Sequence, residues 1–226
     1  MASYYHLPNL IIMKTITLWI SVIATSILSA SEPISLFDGK TLNGWKPLNE
    51  HNAKYWSVKD GMIEASNGDE RLPENIYLAS TEAYEDFEFT CQFKLSGDPK
   101  SGLINSGIQY RSPIIPHPNQ DLILSQGYQA DIGDQYWGNI YDENRRALLC
   151  RGDRESLYAK GFKHDAWHTY KIVCKGNSHK LYIDGVLMSD FKELNSHIPA
   201  KGPFAFQLHC GGVAKLQIKE IFIKKL

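Results

Sequence analysis

The chain has 226 residues, with 24 Lys+Arg against 25 Asp+Glu and a formal net charge of -1. That balance excludes the clustered positive charge on which binding to nucleic acid or an anionic membrane surface rests. Hydrophobic residues at 43% and charged residues at 22% exclude a disordered chain. The 12% aromatic content suits a globular domain with a small-molecule or sugar site.

From Met13 the chain reads as an export signal. Lys14 supplies the positive start, Ile16 to Leu28 form an apolar run, and Ser29, Ala30 and Ser31 are small residues suited to cleavage. The run is short for a bilayer crossing, which needs about 20 residues. The expectation is therefore a signal over 1–31 (with Met13 a possible true start), no stable membrane insertion after cleavage, and a periplasmic or extracellular protein. One domain, 32–226, follows without a linker.

The mature chain is dominated by period-two alternation. Residues 56–65 form two short strands around Asp60-Gly61, a hairpin signal. Phe87 to Leu95 alternates over nine residues, with Cys91 on the same face as Phe87, Phe89 and Phe93. His168 to Cys174 and His179 to Ile183 flank Gly176-Asn177, and Asp184-Gly185 turns the chain into Val186 to Met188. Phe204, Phe206 and Leu208 alternate with Gln207 and His209. Leu216, Ile218, Ile221 and Ile223 close the chain with one phase change, the mark of a bulge. Residues 96–126 and 133–165 break the alternation and read as loop-rich. Amphipathic helices are absent, so the pattern predicts an all-β, two-sheet antiparallel sandwich or barrel. Four cysteines permit two disulfides, but Cys91 and Cys174 read as buried small hydrophobes.

An ordered set of blocks resembles the 3-keto-disaccharide hydrolase family. They are L-F-D-G-K-T-L-N-G-W at 36–45, W-S-V-K-D-G-M-I at 56–63, Y-E-D-F-E-F at 84–89 and N-S-G-I-Q-Y-R at 105–111. G-Y-Q-A-D-I-G-D-Q-Y-W-G-N-I-Y-D-E-N-R-R at 127–146, W-H-T-Y-K-I at 167–172 and F-Q-L-H-C-G-G at 206–212 follow. The resemblance covers 35–226 and implies a concanavalin A-like jelly-roll sandwich acting on glycosides whose 3-hydroxyl has been oxidised to a ketone. Where many members carry Glu and Gln, this chain carries Gln129 and Asp131.

The candidate site residues lie on the polar faces of predicted strands. Asn105, Gln109 and Arg111 are spaced to share one side, and so are Gln129 and Asp131. Arg111 could offer paired hydrogen bonds to a sugar or a developing oxyanion, or be a structural arginine paired with Asp131 or Asp134. Asp131 and Asp134 could hold a divalent cation through oxygen, although Asp134 beside Gly133 also reads as a turn residue. Trp137 and Tyr141 could stack on a pyranose, and Glu143 and Arg145 fall in the family-like block as substrate-binding candidates. His209, beside Gly211-Gly212 and alternating with Gln207, could act as base, acid or metal ligand, or be a satisfied buried histidine.

With a 3-keto sugar as the implied substrate, the catalytic candidates are His209 and Asp131 as base and Arg111 as oxyanion partner. Two other readings stay open. One is a conventional glycoside hydrolase with paired carboxylates; the other is a non-catalytic carbohydrate-binding module.

Overall fold

The computed structural model describes residues 1–2 and 32–226; the predicted export signal lies outside the described residues. In chain order the strands are β1 (Ile34–Ser35), β2 (Trp45–Pro47), β3 (Trp56–Lys59), β4 (Met62–Ser66), β5 (Ile76–Tyr84) and β6 (Phe87–Gly97). Next come β7 (Asn105–Tyr110), β8 (Ile114–Pro116), β9 (Ile123–Ser125), β10 (Gly127–Gly133), β11 (Ile140–Glu143) and β12 (Ala147–Cys150). The last five are β13 (His168–Lys175), β14 (Ser178–Ile183), β15 (Val186–Lys192), β16 (Gly202–Leu208) and β17 (Ala214–Lys225). One sheet runs β15-β14-β13-β6-β17-β4-β3, with β1 beside β17, and the other runs β12-β11-β10-β7-β16-β5-β2. All pairings are antiparallel, and β8 and β9 form a separate hairpin. The fold is the antiparallel sandwich that the alternation predicts.

Local chemistry sets these elements. Asp60 and Gly61 both take positive φ (50° and 75°), as do Asp184 and Gly185 (49° and 76°). A two-residue hairpin whose twist matches its strands requires that geometry. The predicted phase change in β17 is a bulge: its register on β6 shifts between Lys219 and Phe222, and Glu220 sits at φ 51°. The bulge returns Ile221 and Ile223 to the buried face that Leu216 and Ile218 occupy. Residues 133–165, read as loop, also contain β11, β12 and a short helix, α1 (Arg154–Ala159), capped by Asp153 accepting from the Ser156 N–H.

The core lies between the sheets. Phe87, Phe89, Cys91 and Phe93 of β6 meet Ile108, Tyr110, Tyr128, Ile132, Phe204 and Phe206 of the opposite sheet, all at most 1% exposed. Phe89 stacks on Phe204 at 4.4 Å and Trp45 on Phe206 at 4.7 Å. Each such ring contributes about 1.5–3 kcal/mol by leaving water. All four cysteines are free.

Period two sends the alternate residues of the second sheet outward. These are Gln109, Gln129, Asp131, Tyr77 and Gln207, and they are polar yet at most 3% exposed. Curvature explains that burial. Glu143 on β11 accepts a hydrogen bond from the Tyr77 hydroxyl of β5 at 3.3 Å, although β10, β7 and β16 lie between them. Only a strongly concave face lets side chains meet across three intervening strands, since neighbouring strands sit about 4.8 Å apart.

Candidate functional site

The concave face holds a cleft of about 230 Å³ lined by Leu103, Asn105, Gln129, Asp131, Tyr136, Tyr141, Glu143 and His209. Strand register brings its floor together. Gln129 of β10 stands opposite Gln109 of β7 on one side and Tyr141 of β11 on the other. Asp131 stands opposite Gly107, which in turn stands opposite Gln207 of β16, itself opposite Tyr77 of β5. Gly107 is glycine because the Gln129 side chain lies across it: a Cβ there would come within 2.5 Å of Gln129 Cγ and Cδ.

The floor is wired by hydrogen bonds. Gln109 Nε2 donates to Gln129 Oε1 at 3.2 Å, and Gln129 Nε2 donates to Asp131 Oδ1 at 2.9 Å. Gln207 Nε2 donates to the Tyr77 hydroxyl at 3.2 Å and to Glu143 Oε1 at 3.4 Å. The side-chain carbonyl oxygens of Gln109 and Gln207 are buried with no hydrogen-bond partner in the protein. Unsatisfied buried acceptors are costly, so two of them beneath one cleft mark a place that receives hydroxyl or water donors.

Two carboxyl groups share this cleft, and burial is the first influence on both. It pushes Asp131 up to about 8, against the downward pull of its Gln129 and Asn139 hydrogen bonds and with an added push from the Glu143 charge. Glu143 is raised by burial and held down by the donors Tyr77 and Gln207. Glu143 thus has two donors that favour its charged form, while Asp131 ionises only near pH 8.

His209 stands just beyond β16. Its Nδ1 accepts the Gly211 backbone N–H at 2.8 Å, which assigns the ring proton to Nε2. Burial lowers its basicity. The neutral ring's lone pair is therefore occupied, and its free group is a donor. The tight 209–211 turn needs glycine, because a Cβ on Gly211 would meet His209 Nδ1 at 2.8 Å.

The structure gathers Asn105, Gln129, Asp131, Tyr141, Glu143 and His209 at the cleft, with Gln109 and Gln207 beneath it. Four predicted residues lie elsewhere. Arg111 follows the last residue of β7 and takes φ 50°, which breaks the alternation that Gln109 obeys. Its guanidinium, 1% exposed, donates to Asp86 Oδ1 at 2.9 Å, the Glu85 carbonyl at 2.7 Å and the Gly176 carbonyl at 2.8 Å. It is a structural arginine, but its partner is Asp86 and not Asp131 or Asp134.

Trp137 is 3% exposed and packs on Phe162 at 4.8 Å and Phe93 at 6.3 Å, so it offers no open face to a sugar. Arg145 follows the left-handed Asn144 and folds back. Its Nε donates to both oxygens of fully buried Asp142 at 2.9 Å, and its guanidinium lies over Tyr128. Asp134 accepts from the Gln135 N–H and the Tyr158 hydroxyl and lies outside the cleft. Its odd spacing from Asp131 and its place at the start of the turn after β10 separate the two acids. No group of three or more His, Cys, Asp or Glu able to hold a metal ion occurs among the described residues.

Three site residues escaped the sequence reading: Tyr77, Tyr136 and Leu103. Tyr77 was findable, because the alternation of Tyr77 and Ala79 against Ile76 and Leu78 is the signature of β5. Tyr136 lies in a turn and Leu103 in the irregular segment before β7, where no periodicity marks a face.

Comparison with known proteins agrees with this architecture. A curated 3-keto-disaccharide hydrolase of Bacteroides thetaiotaomicron is 26% identical over 205 residues, which is 79% of this chain and 69% of that protein. A crystal structure of a putative glycosyl hydrolase from Parabacteroides distasonis superposes with a TM-score of 0.58 at 19% identity, over 86% of this chain and 94% of the other. The carbohydrate-binding module CBM66 of Bacillus subtilis gives 0.57 at 14% identity, over 80% and 96%. The Bacillus licheniformis β-glucanase gives 0.55 at 15% identity, over 88% and 99%. At these identities the structural likeness establishes the fold alone. The sequence match to a family covers both sheets and every residue of the cleft. Over residues 32–224 the chain belongs to the family of the 3-keto-alpha-glucoside-1,2-lyase-like domain.

Proposed function

We propose that this protein is an exported carbohydrate-active enzyme that cleaves 3-keto-glycosides by proton abstraction, elimination and hydration. The observation that carries the reading is the convergence of Asp131, Glu143 and His209 on one cleft, with the Nδ1 lone pair of His209 already engaged. Family membership and the name of the Bacteroides relative support the substrate class.

The 3-keto group makes the C2 proton acidic. Asp131 as carboxylate takes that proton, and the C2–H electron pair moves into the carbonyl to give an enolate. His209 Nε2–H donates to the developing oxyanion, the kind of preorganised stabilisation that outweighs other terms in such sites. The C1–O bond then breaks as the enolate collapses to an enone, and the departing oxygen takes a proton. Water adds across C1 and C2, its hydroxyl to C1 and its proton to C2, to complete net hydrolysis. Asp131 suits the base role because a basicity near the working pH serves proton transfer best.

A second reading has an observation of its own. Asp131 and Glu143 are two carboxyls in one cleft, as a conventional glycosidase requires. One assay separates them. The purified protein is expected to turn over a 3-keto-glucoside and to leave the unoxidised glucoside nearly untouched, by many orders of magnitude, because without the ketone no side-chain base removes the C2 proton at neutral pH. Equal rates on the two substrates would identify the paired-carboxylate mechanism; binding without turnover would identify a carbohydrate module.

A further inference from the structure

We propose that a second cavity, of about 460 Å³, at the end of the sandwich beside the cleft holds the leaving group of the glycoside and selects an apolar, ring-bearing one. This rests on the glycoside-cleaving reading and adds a binding site to it.

The two spaces share a wall one residue thick. Leu103 lines both. Beyond it, successive residues alternate between the two: Asn105 faces the cleft and Ile104 the cavity, while Tyr136 faces the cleft and its neighbours Gln135 and Trp137 the cavity. A ligand anchored at Asp131 and His209 therefore meets the second space after crossing one side chain, Leu103, which is 37% exposed.

Size supports the division of labour. The cleft alone, at about 230 Å³, falls below the roughly 300–1,000 Å³ usual for small-molecule sites, whereas cleft and cavity together fall within it. A glycoside has two parts, and the cleft has room for one of them.

The lining gives the chemical class. Leu95, Pro99, Leu103 and Ile104 are aliphatic. The one indole, Trp137, is 3% exposed and packed by Phe162 and His164, so it offers no open face for the stacking by which pyranoses are usually held. Aliphatic walls without a stacking platform favour a flat apolar ring over a second sugar. The exposed Asp134, His164 and Asp165 stand at the mouth, where they can meet polar substituents.

The test uses the full-length protein with methyl and benzyl 3-keto-glucosides, whose leaving alcohols differ in bulk and little in acidity, and a 3-keto-disaccharide. Wild-type KM should be lowest for the benzyl compound. His164→Trp, an exposed position that would block the mouth, should raise the benzyl KM by about ten-fold, because the excluded ring stays in water, and leave the methyl kinetics within about two-fold. Unchanged methyl kinetics also show that the variant is folded. Equal effects on the two substrates, no effect on either, or a lower KM for the disaccharide would overturn the inference. Turnover of the methyl compound with no benzyl preference would overturn the cavity's role alone; no turnover of any 3-keto substrate would overturn the glycoside reading and this inference with it.

Discussion

His209 shows how one backbone hydrogen bond decides a side chain's chemistry. An imidazole in a cleft is open to acid, base or ligand roles, and the sequence left all of them available. The Gly211 N–H takes Nδ1, so the neutral ring can give a proton-bearing contact and has no free lone pair to abstract with. The roles predict different variants. His209→Gln keeps an amide donor near the Nε2 position but cannot act as a base, whereas His209→Ala removes both functions. Loss of one oxyanion donor typically costs about 10²–10³ in rate. His209→Ala should therefore lose that much kcat on a 3-keto-glucoside, and His209→Gln should recover a large part of it. Steady-state kinetics on the two variants decide; equal losses would return the base role to His209.

At the scale of elements, Arg111 is a tie between sheets. It leaves the end of β7 and joins the Glu85-Asp86 turn before β6 to Gly176 in the β13–β14 hairpin. Removing it strands two carbonyls, while Asp86, a third exposed, keeps the Gly176 N–H; the loss is a few kcal/mol, at about 1–3 kcal/mol for a buried acceptor left unsatisfied. Arg111→Met should lower the denaturant midpoint accordingly, yet leave kcat of the folded protein within about two-fold; a selective kcat loss at unchanged stability would put Arg111 back in the reaction. The sequence made the alternating strands legible, and with them Gln129, Asp131 and Gln207, because side-chain direction in a strand is fixed by parity. It misplaced Arg111, Trp137, Arg145 and Asp134 because each follows or lies within a turn, where a single left-handed residue such as Asn144 resets the direction. The depth of the site was not legible either. Tyr77 and Glu143 meet through curvature of the whole sheet, a property of twist and packing that no local pattern records.

For the whole molecule, stability and activity are linked through Asp131. Its native carboxyl ionises near pH 8, against about 3.9 in an unfolded chain. Between those values the native state holds a proton that the unfolded state has released, so this group's contribution is fully present below about pH 3.9 and is lost as pH rises to about 8. Two groups at the other end of the sandwich act in the opposite sense. His179, buried against Tyr110 and Tyr128, is lowered to about 3, so protonation of the unfolded chain costs stability as pH falls below about 6.5. Glu193 accepts from Tyr128 and Arg146 and is lowered to about 2, despite the upward push of burial, so its contribution is lost as pH falls below about 4.5. The slopes of Asp131 and His179 oppose each other up to about pH 6.5, and above it the slope of Asp131 stands alone among these three. From pH 6.5 to 8 the wild type should therefore lose stability, by about 1–2 kcal/mol for the uptake difference of one proton, while kcat/KM on a 3-keto-glucoside rises as the base ionises. Asp131→Asn keeps an acceptor for the Gln129 amide and carries no charge. It should flatten the stability profile over this window, exceed wild type in melting temperature by more at pH 8 than at pH 6.5, and lose about 100-fold or more in rate. Calorimetric melts and initial rates across the same buffers test both halves at once. A wild-type protein equally stable at pH 6.5 and 8 would exclude a buried carboxyl ionising there; a rate that rises there and is unchanged by Asp131→Asn would move the base to Glu143.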